Sequence, residues 1–73
     1  MENNVLDYAT ELALKELGCT VKNTENIATI KFGSTRLKLE KRSNYWHDLE
    51  KNLWFYSRAQ ILIYMARDGH LRG

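Results

Sequence analysis

Apolar residues recur at helical spacing near the start of the chain. When residues 4–17 are plotted at 100° per residue, six apolar residues fall within an arc of about 140°, as an amphipathic helix requires. They are Val5, Leu6, Ala9, Leu12, Ala13 and Leu17. Asn3 or Asn4 is a suitable N-cap, and Gly18 can supply the left-handed residue that ends a helix. The pattern predicts a first helix over residues 4–17.

The spacing changes to strict alternation in the segment TIKFGSTRLKLEKR, residues 29–42. A two-residue turn at Gly33-Ser34 brings the apolar positions of two strands to one face of a β-hairpin. The pairs on that face are Phe32 with Thr35, Ile30 with Leu37 and Ala28 with Leu39, and the pairs on the other face are Lys31 with Arg36, Thr29 with Lys38 and Ile27 with Glu40. Because the side-chain period of a strand is two, this register separates buried from solvent-facing residues.

A third strand is predicted over residues 19–23, which the turn sequence NTEN then ends. If this strand pairs beside the hairpin, its lysine joins the outer face. That face then carries the cations Lys22, Lys31, Arg36, Lys38 and Arg42, with Glu40 as the acidic residue of the hairpin.

The last third of the chain reads as helical from Ser43 or Asn44 to Arg67 or Asp68, with an end at Gly69. Its apolar residues lie on two sides, one with Trp46, Leu49, Leu53, Trp54, Ile61, Tyr64 and Met65, the other with Phe55, Ala59, Leu62 and Ala66. One long helix is one interpretation. Two shorter helices are the other, because residues 57–60, SRAQ, match a capping box.

These elements predict a single α+β domain over residues 1–73. It has an N-terminal helix, a small antiparallel sheet of two or three strands with its hairpin at Gly33-Ser34, and a long or bent C-terminal helix. The order is α-β-β-β-α, with both helices on one sheet face. A chain of 73 residues supports one core, and such a core supplies only about 3–5 kcal/mol of net stability.

Charge and composition indicate the cellular compartment and the class of partner. The net charge is +2, but residues 27–73 hold nine basic and four acidic residues, whereas residues 1–26 hold two and five. The single cysteine, Cys19, excludes an internal disulfide, and the start MENN lacks the features of a signal peptide. The longest apolar stretch, residues 53–66, is too short and too interrupted to cross a bilayer. We expect a cytoplasmic protein without a membrane partner.

The basic face predicts an anionic partner. Lys31 and Arg36 repel each other when directly opposite, so solvent or a bound anion must offset that repulsion. Because no aromatic residue is predicted on the outer face for bases to stack on, duplex nucleic acid fits better than a single strand. An acidic protein surface fits the same charges. A solvated face that discourages sheet aggregation is the alternative without a partner.

The second apolar side of the last helix predicts a homodimer or a docked partner, since a chain this short has little else to cover it. The interface residues would be Phe55, Ala59, Leu62, Ile63 and Ala66. Burial inside the monomer after a bend near Ser57 is the alternative.

Catalysis, metal binding and cofactors find no support in the residue pattern. Cys19 follows the C-terminal end of a helix, where the helix dipole opposes a thiolate. His47 and His70 match no zinc spacing, and there is no glycine-rich phosphate loop. The aromatic residues Tyr45, Trp46, Trp54 and Tyr56 are interpreted as core rather than as a ligand pocket. We therefore expect no enzyme, no metal, no cofactor and no small-molecule substrate.

The predicted order of helix, three strands and helix resembles that of double-stranded RNA-binding domains. Those domains open their last helix with a cluster of lysines, whereas residues 43–48 here read SNYWHD. The resemblance is confined to the order of elements, which small phage inhibitors of bacterial defence systems also share, so it assigns no family.

The sequence thus predicts a small non-enzymatic regulatory protein that docks its basic sheet face on duplex nucleic acid. The alternative is a protein-interaction factor, such as a phage-type inhibitor of a host protein, for example a defence nuclease. That factor would bind through the C-terminal helix or through the basic face.

Overall fold

Two helices and one antiparallel sheet make up the chain in a computed structural model that describes residues 4–72, with side chains for residues 4–67. The elements are α1 Tyr8–Leu17, β1 Thr20–Asn23, β2 Ala28–Phe32, β3 Thr35–Lys41, β4 Trp46–Asp48, β5 Trp54–Phe55 and α2 Arg58–Arg72. The strands lie in the order β1-β2-β3-β4-β5. The predicted α+β class is confirmed, although the sheet has five strands rather than two or three.

The core lies between the helices and one face of the sheet. Leu14 of α1 and Ile61 and Met65 of α2 are fully buried, as are Ile30 and Leu37 of the central strands. Both helices therefore cover the same sheet face, as predicted, and the opposite face is left open. Within the described residues, no helix is long and apolar enough to span a bilayer.

The hairpin has the register that the alternation predicts. Phe32 pairs with Thr35, and the pairing continues through Lys31 with Arg36 to Ala28 with Leu39. Gly33 has a φ of 62°, and a positive φ at the first turn residue is what a type II′ turn requires. A turn that only glycine adopts without strain thus fixes the register, and the register decides which residues share a face of the hairpin.

The third strand is also confirmed, beginning at Thr20 rather than Cys19. It pairs antiparallel with β2, and Lys22 lies opposite Thr29. Cys19 is buried just before the strand. This register places Lys22 on the same face as the hairpin's cations.

The predicted start of the first helix is wrong. The N-cap is Asp7, not Asn4, and Asn3 lies outside the described residues. Residues 4–6 are instead held against the end of β1, since the Val5 N–H donates to the Thr24 carbonyl at 2.8 Å and the Leu6 N–H to the Asn23 side chain at 3.0 Å. The predicted end is right, because Gly18 has a φ of 113° and caps α1.

The buried face of α1 also differs from the predicted arc. Thr10 and Leu14 face the core, whereas Leu12 and Leu17 are 41% and 36% exposed. Val5 and Leu6 are buried, but they precede the helix. Counting them as helical rotated the predicted apolar face away from the one that packs.

The prediction of helix from residue 44 onward is wrong as far as residue 57. Residues 46–48 and 54–55 form β4 and β5, which add to the sheet beside β3. The alternative of two shorter helices is right only for the second one, which begins after Ser57 as the capping box predicts. The Ser57 hydroxyl accepts from the Gln60 N–H at 3.3 Å, and the Gln60 side chain accepts from the Tyr56 N–H at 2.6 Å. Helix α2 continues past the predicted end at Gly69 to Arg72.

Residues 49–53 join the two added strands, and Asp48, the last residue of β4, holds this turn. The buried Asp48 carboxylate accepts from the Lys38 N–H at 2.8 Å and from the Lys51 N–H at 2.5 Å. The Asp48 N–H donates to the Leu53 carbonyl at 2.8 Å, and Asn52 has a left-handed φ of 59°. One side chain thereby links β3 to the turn and satisfies backbone groups that a regular ladder would pair.

Candidate nucleic-acid interface

Three rows of paired residues cross the open face of the sheet. One runs through Thr20, Lys31 and Arg36, the next through Lys22, Thr29 and Lys38, and the third through Glu40, His47 and Trp54. We call the side chains of these rows the open face. Lys22, Lys31, Arg36 and Lys38 are exposed there. The structure therefore brings four of the five predicted cations together.

Arg36 is held by an acid that the sequence did not place nearby. Its Nε donates to Glu50 Oε1 at 3.0 Å and its Nη2 to Glu50 Oε2 at 2.5 Å. Glu50 comes from the turn between β4 and β5. Because this carboxylate offsets the repulsion between Arg36 and Lys31, the like-charged pair needs no bound anion to be tolerated.

Arg42, the fifth predicted cation, lies just past the end of β3. Its Nη2 is 2.5 Å from Glu40 Oε2. Both predicted arginines are thus engaged within the fold. Lys22, Lys31 and Lys38 form no ion pair within the described residues, so their ammonium groups are the ones available to a partner.

Lys51 extends the basic region, a contribution that the sequence analysis missed. Its Nζ donates to the Arg36 carbonyl, and it borders a shallow depression beside the hairpin turn together with Lys31 and Ser34. Lys51 reaches this position because residues 49–53 form a turn. The prediction of a helix over this segment did not place it there.

His47 lies between two oxygen acceptors on the third row. Its Nε2 is 2.6 Å from Asn52 Oδ1 and its Nδ1 is 3.2 Å from Glu40 Oε2. These bonds, that to Asn52 first and that to Glu40 second, raise the pKa of His47 above its ordinary value. The His47 ring, followed by Arg42, lowers the pKa of Glu40. A protonated ring can donate from both nitrogens at once, so the site favours the imidazolium.

The expectation that no aromatic residue lies on the outer face is wrong. Trp54 is 48% exposed there, and its ring centroid is 5.2 Å from that of His47, with 34° between the planes. Just before β4 and just after β5, the rings of Tyr45 and Tyr56 contact each other with centroids 5.5 Å apart. The interpretation of these residues as core fails for Trp54 and for Tyr56, which is 62% exposed.

The predicted helix interface is only partly assembled. Phe55 is buried in the monomer, where its ring meets that of Tyr64 edge-on at 5.5 Å. Ala59 is exposed in the first turn of α2 and does not line the groove described next. Leu62, Ile63 and Ala66 do come together, in an open apolar groove that Ala13, Glu16 and Leu17 of α1 complete.

Cys19, Asp48 and His47 are the residues with side chains that often serve in catalysis, and each has a structural role in the fold. Burial raises the pKa of the Cys19 thiol, which disfavours the reactive thiolate. Asp48 faces the core side of β4 while its neighbour His47 faces the open side. No three His, Cys, Asp or Glu side chains gather as metal ligands within residues 4–67. The expectations about enzyme activity and metals stay predictions.

No protein-family model, curated protein or solved structure matches the chain. Function is therefore inferred from the residues of the open face.

Proposed function

We propose that the protein binds nucleic acid, without catalysing a reaction, through the open face of its sheet. The observation that supports this proposal is the position of Lys22, Lys31 and Lys38, which form no ion pair within residues 4–67, on the sheet face that no helix covers. Exposed ammonium groups on a broad surface suit the regularly spaced phosphates of a nucleic acid.

The charge of the face gives the binding a defined character. Each lysine that contacts a phosphate releases counterions, so the logarithm of the affinity falls with the logarithm of the salt concentration by about 0.7–0.9 per contact. Contacts with the phosphate backbone position a nucleic acid but carry little sequence information. The protein therefore binds with strong salt dependence and little sequence preference through these three side chains.

Duplex and unpaired strands both match the face in charge. The sequence favoured a duplex because no exposed ring was expected, and Trp54 removes that reason. An acidic protein surface would bind the same lysines. Unlike a nucleic acid, it has no bases that could stack on the Trp54 ring.

The test is a titration of labelled duplex and single-stranded oligonucleotides at 50 and 200 mM salt. Changing Lys22, Lys31 and Lys38 to glutamine should reduce the slope of log affinity against log salt by about 2–3. The matched control changes Lys15, Arg58 and Arg67 to glutamine, which removes the same charge from outside the open face.

Two results would overturn the proposal. One is the absence of binding to either oligonucleotide at the lower salt concentration. The other is an equal loss in the control variant, which would show that net charge rather than the open face attracts the nucleic acid.

A second candidate function is protein interaction through the helices, the class that includes phage-type inhibitors of host proteins. The observation that favours it is the groove between α1 and α2, where Ile63 is 54% and Leu17 is 36% exposed. We propose a second copy of the chain as the occupant, because a core of this size gains most from burying such a surface.

A further inference from the structure

The two tryptophans of the chain are used in different ways. Trp46 Nε1 donates to the Val5 carbonyl at 2.9 Å, and Lys41 Nζ lies 4.0 Å from the centre of the Trp46 ring. Trp46 also packs against the core cluster. Trp54 has one contact of this kind within the described residues, the ring of His47. The fold explains the position of Trp46 and leaves half of the Trp54 surface unexplained.

An exposed indole is costly on a sheet face that could carry a polar residue. Burying a large apolar side chain is favourable, and a tryptophan left half exposed forgoes part of that gain. The other positions of the open face follow the usual rule, since they hold lysine, arginine, threonine, glutamate and histidine. Trp54 is the exception among them.

The position of Trp54 relative to the lysines is defined by the sheet. Trp54 lies on the edge strand β5, and Lys38 lies on β3, two strands away on the same face and one row along. With neighbouring strands about 4.8 Å apart, the ring lies roughly 10 Å across the sheet from the Lys38 strand. Lys31 and Lys22 continue the basic surface toward β1. One end of the open face therefore presents a ring and the other presents ammonium groups.

We propose that Trp54 stacks on an unpaired base, so that the nucleic acid bound at the open face is single-stranded, with its phosphates on Lys22, Lys31 and Lys38. This inference rests on the proposed function. An aromatic ring beside a basic surface is what binds single strands without sequence preference, because every base has a π-face. Bases inside a duplex are stacked on one another and offer no such face to a ring on a sheet.

His47 prepares the ring for this role. It contacts the indole with 34° between the planes and is itself fixed by Glu40 and Asn52. An indole supported in this way loses less freedom when a base stacks on it. Tyr56, two residues further along and 62% exposed, offers a second ring for the neighbouring base.

The experiment compares Trp54→Ala and Trp54→Phe with the unchanged protein in titrations of labelled oligonucleotides of about 12 nucleotides, a length within the range of one small binding domain. Single-stranded DNA, single-stranded RNA and a duplex of the same sequence are titrated in parallel. We expect Trp54→Ala to weaken single-strand binding by about 5- to 150-fold. Trp54→Phe keeps a ring and should stay within a few-fold of the unchanged protein.

A second readout locates the base. Bound bases should quench the tryptophan emission of the unchanged protein, and this quenching should disappear in Trp54→Phe although the strand still binds, because the remaining Trp46 packs against the core. Tyr8→Ala is the matched control, since Tyr8 is 76% exposed on α1, away from the open face. It should bind single strands as the unchanged protein does.

The outcomes separate the two proposals. If single-strand binding by Trp54→Ala is undiminished, or if the unchanged protein prefers the duplex, the stacking inference is wrong and the proposed nucleic-acid function stands. If no oligonucleotide binds, both are wrong.

Discussion

The cations of the open face divide by residue type. Arg36 and Arg42 both pair with carboxylates of the fold, Glu50 and Glu40, whereas the lysines remain unpaired within the described residues. This division follows from the side chains, because a planar guanidinium matches a carboxylate with two parallel bonds and an ammonium is a mobile point charge. The sequence did not distinguish the five cations. In the structure, the two arginines pair with carboxylates of the fold, and the three lysines can contact a partner.

The surroundings of His47 predict a pH dependence of stability. Its pKa is raised in the folded chain, so the stabilisation is complete below its ordinary value of 6.5 and is lost as the pH rises through the folded-state value. Glu40 acts in the opposite sense, since its pKa is lowered and its contribution is lost as the pH falls below 4.5. We expect the free energy of unfolding to be highest between these two values and to decrease as the pH rises above 6.5.

Urea unfolding at a series of pH values measures this effect. His47→Gln should remove the decrease above pH 6.5 and weaken the acidic limb, because the His47 ring is the main cause of the lowered pKa of Glu40. His70→Gln is the control for the other histidine and should keep the full profile. A decrease of the same size in His47→Gln would assign the titration to another group.

At the scale of elements, the alternation of apolar and polar residues predicted strands correctly only where the strands are long. Strands β2 and β3 contain five and seven residues, and their register could be predicted pair by pair. Strands β4 and β5 contain three and two residues, too few to show a period of two. The turn between them happens to place Trp46, Leu49 and Leu53 at spacings of three and four, which imitates a helix.

The missed site residues follow from that one error. His47 and Trp54 reach the open face because β4 and β5 pair beside β3, and Glu50 and Lys51 reach it through the connecting turn. The sequence did contain a sign of this turn. Asp48 and Asn52 have side chains that often hydrogen-bond to the backbone in turns, and they lie between two short apolar runs. The lysine part of the site could be predicted because it lies on the hairpin and its neighbour.

The turn that joins β4 and β5 depends on Asp48. Replacing Asp48 with alanine removes the acceptor of two backbone N–H groups, those of Lys38 and Lys51. An unsatisfied buried donor costs about 1–3 kcal/mol, so we expect a loss of about 2–4 kcal/mol in the free energy of unfolding. Asp48→Asn keeps an oxygen acceptor and should lose less.

The midpoint of urea unfolding measures this loss. Glu50→Ala is the matched control, because Glu50 is a carboxylate of the same turn that pairs with Arg36 at the surface, where such a pair contributes about 0–1 kcal/mol. If Asp48→Ala unfolded at the same urea concentration as Glu50→Ala, the carboxylate of Asp48 would not be what holds the turn.

The whole molecule has two unlike surfaces on opposite sides of its core. The sheet presents the lysines and Trp54, and the helices present the apolar groove lined by Leu62, Ile63 and Ala66. Because the helices cover only one sheet face, a partner on the groove leaves the open face free. Dimerisation through the groove would therefore add a second set of lysines without blocking the first, and the two candidate functions are compatible.

Self-association through the groove can be tested without disturbing the core. Ile63 is 54% exposed, so Ile63→Glu should leave the monomer folded while placing a charge where a second copy would pack. We expect light scattering to give a dimer for the unchanged protein and a monomer for Ile63→Glu, with unaltered circular dichroism. Leu49→Glu is the matched control, because Leu49 is 43% exposed in the turn between β4 and β5. An unchanged protein that is already monomeric, or a Leu49→Glu variant that dissociates as fully, would show that the groove is not the contact between copies.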